Sequence, residues 1–207
     1  MRPTRASRLR KEAEKLAQSD PQAQSLAGLT GYDLLLAQLN AHKRQMSQVQ
    51  SMERRAEIKA NIFKEYQPWI DGVLQAGTGV QDAVLMTWLV WCIDAGLLDY
   101  AIKIADYALF HDLALPERFN RTLATTVAEE FADLSKKARS AKKPFDVAYL
   151  EQVQQLTESH DMPDEVRAKL LRELGEGLKE SQPEMALAHL NRALELDQEV
   201  GVKGSIS

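Results

Sequence analysis

The chain has 207 residues, 27% of them charged and 44% hydrophobic, with a formal net charge of -4, the proportions of a globular protein long enough to bury a real core. Its one cysteine, Cys92, excludes an intrachain disulfide and points to a reducing compartment. The most apolar run, residues 84–93 with Thr87 as its single polar interruption, falls well short of the roughly 20 residues needed to span a bilayer, and no apolar segment follows the N-terminal arginines to make a secretory signal.

Charge is divided along the chain. Through Lys64 there are twelve Lys/Arg against six Asp/Glu, whereas the remainder carries 14 against 24. A cationic leading third suits a polyanion, and an acidic remainder suits protein or solvent. Apolar periodicity is helical nearly everywhere and no segment alternates like a half-buried strand, so the fold class is all-α.

Residues 1–28, with "RPTRASRLRKEAEK" and no sustained apolar stripe, are expected to form a flexible basic arm carrying a short helix around residues 7–17. Arg2, Arg5, Arg8, Arg10 and Lys11 are its cations.

Residues 29–67 are expected to form one long coiled-coil-like helix for oligomerisation and DNA contact. Between residues 32 and 66 there is a single proline- and glycine-free stretch, and steps of three and four join Leu35, Leu39, His42, Met46, Val49, Glu53, Ala56, Ala60 and Phe63 in a heptad-like seam. Such a helix would be roughly 50 Å long at about 1.5 Å per residue. Leu35, Leu39, Met46, Val49 and Phe63 are the expected oligomerisation contacts. Lys43, Arg44, Arg54, Arg55, Lys59 and Lys64 occupy its outer positions.

Residues 68–207 are expected to form a compact body of helical hairpins. Pro68 should end the long helix. "GTGVQD" lacks the Gly-Lys-Ser/Thr ending of a phosphate loop and follows no strand, so it is a turn. Cys92 falls in the apolar run as a small buried hydrophobe. Pro116, Pro163 and Pro183 stand where prolines open helices. "DYAIKIADYAL" and "EMALAHLNRAL" align Ala101 with Ala186 and Ala108 with Ala193, small residues that let helices approach closely as in tetratricopeptide-like pairs.

"YALFHDLALPERFNRT" gathers His111, Asp112, Glu117, Arg118 and Arg121, and reads as a joint between helices. A metal-dependent nuclease needs two or more carboxylates about a cation. Asp94, Asp106, Asp112 and Glu130 are the candidates, without diagnostic spacing, and the four histidines lack any metal-ligand spacing.

The stretches "PWIDGVLQAGTGVQDAVLMTWLVWCIDAGLLDYAIKIADYAL", "MPDEVRAKL" and "ALAHLNRALELDQEVGVK" resemble the terminase small subunit, also called the terminase endonuclease subunit, of peduovirus-type tailed bacteriophages. The likeness covers roughly residues 29–203. It implies a soluble protein of the host cytoplasm that binds double-stranded viral DNA at the packaging site, forms a homo-oligomer, expected as a ring, and passes DNA to a large ATPase subunit, with no membrane. In that setting Arg2, Arg5, Arg8, Arg10, Lys11, Lys43, Arg44, Arg54, Arg55 and Lys59 are the expected DNA contacts. No cofactor or metal is expected, except Mg2+ under the rival reading of an endonuclease that cuts cohesive ends. A second rival is a helical-repeat adaptor that binds protein alone.

Overall fold

The computed structural model describes residues 5–18, 26–116 and 121–201. Arg2, Glu117, Arg118 and the arm residues 19–25 lie outside them. Among the described residues all regular structure is helical: α1 (Arg5–Gln18), α2 (Leu26–Gln48), α3 (Met52–Ala76), α4 (Ala83–Asp94), α5 (Leu98–Phe110), α6 (Leu123–Ser140), α7 (Ala148–Thr157), α8 (Asp164–Leu178) and α9 (Pro183–Leu196). The all-α expectation is met. Two compact units divide the chain after Pro116, the first holding α1–α5 and the second α6–α9.

The one long helix expected over residues 29–67 is corrected to an antiparallel pair. Residues 49–51 leave the helix, with Ser51 extended at φ -69 and ψ 122 and its side chain accepting the Arg54 N–H at 3.3 Å as the cap of α3. Arg55 Nε donates to the Val49 carbonyl at 2.5 Å and closes the turn from the other side. Beyond it the chain doubles back: His42 and Tyr66 share a 2.8 Å hydrogen bond, and Tyr32 stacks on Trp69 with ring centroids 5.2 Å apart. The seam is consumed inside one chain. Leu35, Leu39, Met46 and Phe63 are each no more than 6% exposed, and Val49 is half-buried. A heptad stripe serves an intramolecular hairpin as well as it serves two chains, and here the turn decides.

Pro68 does not end α3, which runs through it to Ala76. Tyr66, Trp69, Ile70 and Val73 are all buried on either side of the proline, and their apolar area outweighs one missing backbone hydrogen bond. The helix stops at Gly77, left-handed at φ 65.

Asp82 and Ala83 together join three helices. Its carboxylate caps α4 by accepting the Val84 and Leu85 N–H groups at 2.7 and 2.8 Å and also accepts Trp69 Nε1–H of α3 at 2.8 Å. The next N–H, of Ala83, donates to the Tyr32 hydroxyl of α2 at 3.1 Å. From this start every residue of α4 from 84 to 93 is buried, as the apolar run foretold, and burial pushes the Cys92 thiol up to about 12.

The joint at residues 111–113 is a helix end. Asp112 is left-handed at φ 52, its N–H bonding the Leu109 carbonyl while the Leu113 N–H reaches Ala108 O at 2.9 Å. The half-buried His111 ring packs against Tyr107 and Phe110, and lies so close over Gly79 that a Cβ there would sit 2.4 Å from His111 Nδ1.

In the second unit α6 packs on α7 and α8, and α8 on α9. Pro163 and Pro183 stand at the starts of α8 and α9. Ala186 and Ala193 are buried, as are Ala101 and Ala108 in the first unit. At the α8–α9 crossing a Cβ on Gly175 would lie 2.5 Å from Leu190 Cγ and 2.9 Å from the Ala186 carbonyl oxygen, so the approach is one that only glycine permits.

Candidate nucleic-acid interface

Within the expected arm, residues 5–18 form α1, close to the short helix expected there, and side chains between Arg5 and Glu12 bond to α2 and α3. Arg5 donates to Gln38 Oε1 at 3.0 Å, Glu12 accepts the Gly31 N–H at 3.1 Å, and Arg10 bonds Gln75. These contacts use one side of α1 and leave Arg8, Lys11 and Lys15 exposed at steps of three and four, which puts them on one helical face.

The second part is the turn between α2 and α3. Arg44 precedes it and Arg54 follows it, both exposed, while Lys43 is half-buried. Ser47 Oγ donates to the Arg44 carbonyl at 2.7 Å, and the Arg55 bond to Val49 fixes the chain reversal. The turn lies past the point where α4 ends against α3, since Lys59 of α3 meets Asp94, the last residue of α4. Two exposed arginines from consecutive helices thus flank a braced three-residue turn and carry its positive charge into solvent.

Besides Arg5 and Arg10, two more of the expected phosphate contacts have partners within the chain. Lys59 is corrected from an outward cation to a buried one: 6% exposed, it pairs with Asp94 at 2.5 Å and lies 5.5 Å from the Trp91 ring centroid. The reason is position, because the residue falls on the face of α3 that α4 covers. Arg55 is drawn into the turn by its bond to Val49 and its contact with Met52 Sδ at 3.7 Å.

The carboxylates proposed for nuclease chemistry are placed apart in role. Asp94 neutralises Lys59, Asp106 is exposed on α5, Asp112 closes the α5 terminus, and Glu130 is half-buried on α6 in the other unit. Among the described residues, no three His, Cys, Asp or Glu side chains are grouped to hold one metal ion.

Carboxylates with structural work are found elsewhere. Burial raises the Asp82 carboxyl above its ordinary value, against the lowering effect of its three hydrogen bonds. Glu129 of α6 goes the other way: partial burial raises it, but hydrogen bonds from Lys169 at 3.0 Å and from Arg121 prevail and hold it below its ordinary value. Sequence reasoning also passed over the exposed lysines at the end of α6, although five Lys or Arg in the eight residues 136–143 were there to be seen.

Comparison with known proteins places these features. The model of the phage small terminase subunit family matches residues 36–165, from α2 through the start of α8. A protein of Escherichia phage P2 named "Terminase, endonuclease subunit" is 37% identical over 205 residues, covering 99% of this chain and 82% of the relative. A protein of Haemophilus phage HP1 named "Probable terminase, endonuclease subunit" is 22% identical over 202 residues, 88% of this chain and 71% of the relative. No solved structure matches. Among the described residues no helix is long and apolar enough to cross a membrane.

Proposed function

Because the chain belongs to the phage small terminase subunit family, we propose that it binds double-stranded viral DNA through the basic face of its first unit and delivers that DNA to the large ATPase subunit in the host cytoplasm. The observation that carries the reading is the exposure of Arg44 and Arg54 on either side of the braced α2–α3 turn, in the same unit as Arg8, Lys11 and Lys15 of α1. Such side chains contact phosphates and release counterions, so affinity falls steeply with salt. Arg5, Arg10 and Lys43 add positive charge to the same unit, and Arg2 belongs to the same set by sequence. Assembly of several copies is part of the proposal, and it uses surface other than the seam, whose large side chains are already buried in the single chain.

The test is titration of a labelled duplex with the purified chain at a series of salt concentrations. Arg44→Gln with Arg54→Gln is expected to weaken binding about tenfold or more and to lower the salt slope by about two. An unchanged slope in that variant rejects the hairpin as the contact.

A second reading comes from the names of the two phage relatives, which call them endonuclease subunits. Under it, Asp94, Asp106, Asp112 or Glu130 would take part in Mg2+-dependent cleavage. Incubating the chain alone with packaging-site DNA and Mg2+ or Mn2+ separates the two: site-specific cutting without the large subunit establishes the enzyme, and intact DNA under conditions of tight binding supports the binding subunit.

A further inference from the structure

The densest run of cations in the chain lies outside the first unit. Five of the eight residues 136–143, at the end of α6 and just beyond it, are Lys or Arg, and no Asp or Glu occurs between Asp133 and Asp146. Arg139 is withdrawn from this group, its Nε and Nη2 donating to Glu173 at 3.1 and 2.8 Å. Glu173 is only 2% exposed, so the partly exposed Arg139 is tied to a buried carboxylate. What remains outward is Lys136, Lys137, Lys142 and Lys143, all exposed.

The backbone supplies a second, independent observation. Among the described residues three helices end in the same way, with one residue in the left-handed conformation and two hydrogen bonds back into the last turn. At the end of α4 that residue is Gly96, at φ 73, and at the end of α5 it is Asp112. At the end of α6 it is Lys142, at φ 54, with its own N–H bonded to Arg139 O and the Lys143 N–H to Ala138 O at 2.8 Å. Glycine adopts this conformation without strain, and aspartate is tolerated there because its short polar side chain can bond locally. A lysine has neither advantage, so the position holds a modest strain while it carries the Lys142 and Lys143 side chains just past the helix end.

We infer that Lys136, Lys137, Lys142 and Lys143 form a second contact surface for the phosphate backbone of duplex DNA, carried by the second unit. The inference rests on the DNA-binding reading above. Phosphate fits the chemistry better than a protein partner does. Four ammonium groups on flexible stems match a row of phosphates without requiring fixed paired geometry. A protein interface wants an apolar or arginine anchor at its centre; none of the exposed large hydrophobic residues lies between 136 and 144, and the one arginine is already paired with Glu173. With one cationic surface in each unit, the chain holds DNA at two places, and each contact raises the effective concentration of the other.

The experiment uses the full chain and a fluorescein-labelled duplex, read by anisotropy over a salt series. Variant one is Lys136→Gln, Lys137→Gln, Lys142→Gln and Lys143→Gln together; variant two is Arg44→Gln with Arg54→Gln; circular dichroism establishes that both keep their helix. The expected result is weakened binding in each, with the salt slope of the four-lysine variant reduced by about three to four. Wild-type affinity and slope in the four-lysine variant, with weakened binding in the arginine variant, overturn this inference and leave the first reading standing. Absence of salt-dependent binding in the wild type overturns both. Lys142→Gly alone is expected to raise the thermal midpoint while lowering the salt slope by about one; a slope equal to that of the wild type removes Lys142 from the surface.

Discussion

Lys59 Nζ lies 2.5 Å from Asp94 Oδ2, joining the middle of α3 to the last residue of α4, with the lysine side chain 8% and the aspartate side chain 32% exposed. One of the expected DNA contacts and one of the expected catalytic carboxylates are therefore each other's partners. Asp94→Ala leaves the lysine charge inside without compensation. The expected loss is about 2 kcal/mol in urea denaturation, below the roughly 3–5 kcal/mol of a fully buried pair because the aspartate is partly hydrated. Lys59→Met with Asp94→Leu should lose less than Asp94→Ala alone.

Asp82→Ala removes the cap of α4 and the acceptor for Trp69 in one step. A loss of about 2–4 kcal/mol is expected from urea denaturation. Asp82→Asn keeps a capping oxygen and isolates the charge. Because burial raises the folded-state value of this carboxyl above 3.8, the contribution of Asp82 is fully present below 3.8 and is lost as pH rises through the folded value. Stability measured against pH should therefore shift in favour of the asparagine variant as pH rises from the acid range toward neutrality.

Glu129 has the opposite sign. Its hydrogen bonds from Lys169 and Arg121 hold it below 4.5 when folded, so its contribution is present above 4.5 and lost as pH falls through the folded value. Glu129→Gln should be less stable than the wild type at neutral pH, by a small margin since the group is partly in water. The two thermal midpoints should converge at low pH.

Gly175→Ala places a Cβ 2.5 Å from Leu190 Cγ and 2.9 Å from a backbone oxygen of α9. The leucine can rotate but the backbone cannot, so α8 and α9 must separate. A loss of about 1–3 kcal/mol is expected, and it should appear as a lower thermal midpoint.

Much of this fold was legible because its signals are local. The ten-residue apolar run gave α4, Pro163 and Pro183 gave helix starts, and the apolar spacing of Leu35, Leu39, Met46 and Phe63 gave the buried face of α2 and α3. The turn at 49–51 was missed because it uses neither glycine nor proline; its one signal is Ser51, which only the structure distinguishes as a cap from the nearby Ser47. Pro68 misled for the converse reason, as burial on both sides of it overrides its local preference. At the candidate interface, the exposure of Arg8, Lys11, Arg44 and Arg54 followed from charge and helical period. The burial of Lys59 did not, since its partner is 35 residues away in sequence and nothing near Lys59 announces it.

The closed hairpin of α2 and α3 also bears on how folding responds to protein concentration. An apolar stripe shared between chains makes folding depend on protein concentration, whereas one folded back on itself contributes the same stability to a solitary molecule. Each newly made copy completes this part of its core unaided, so the hairpin is as firm in a dilute solution of the chain as in a crowded one.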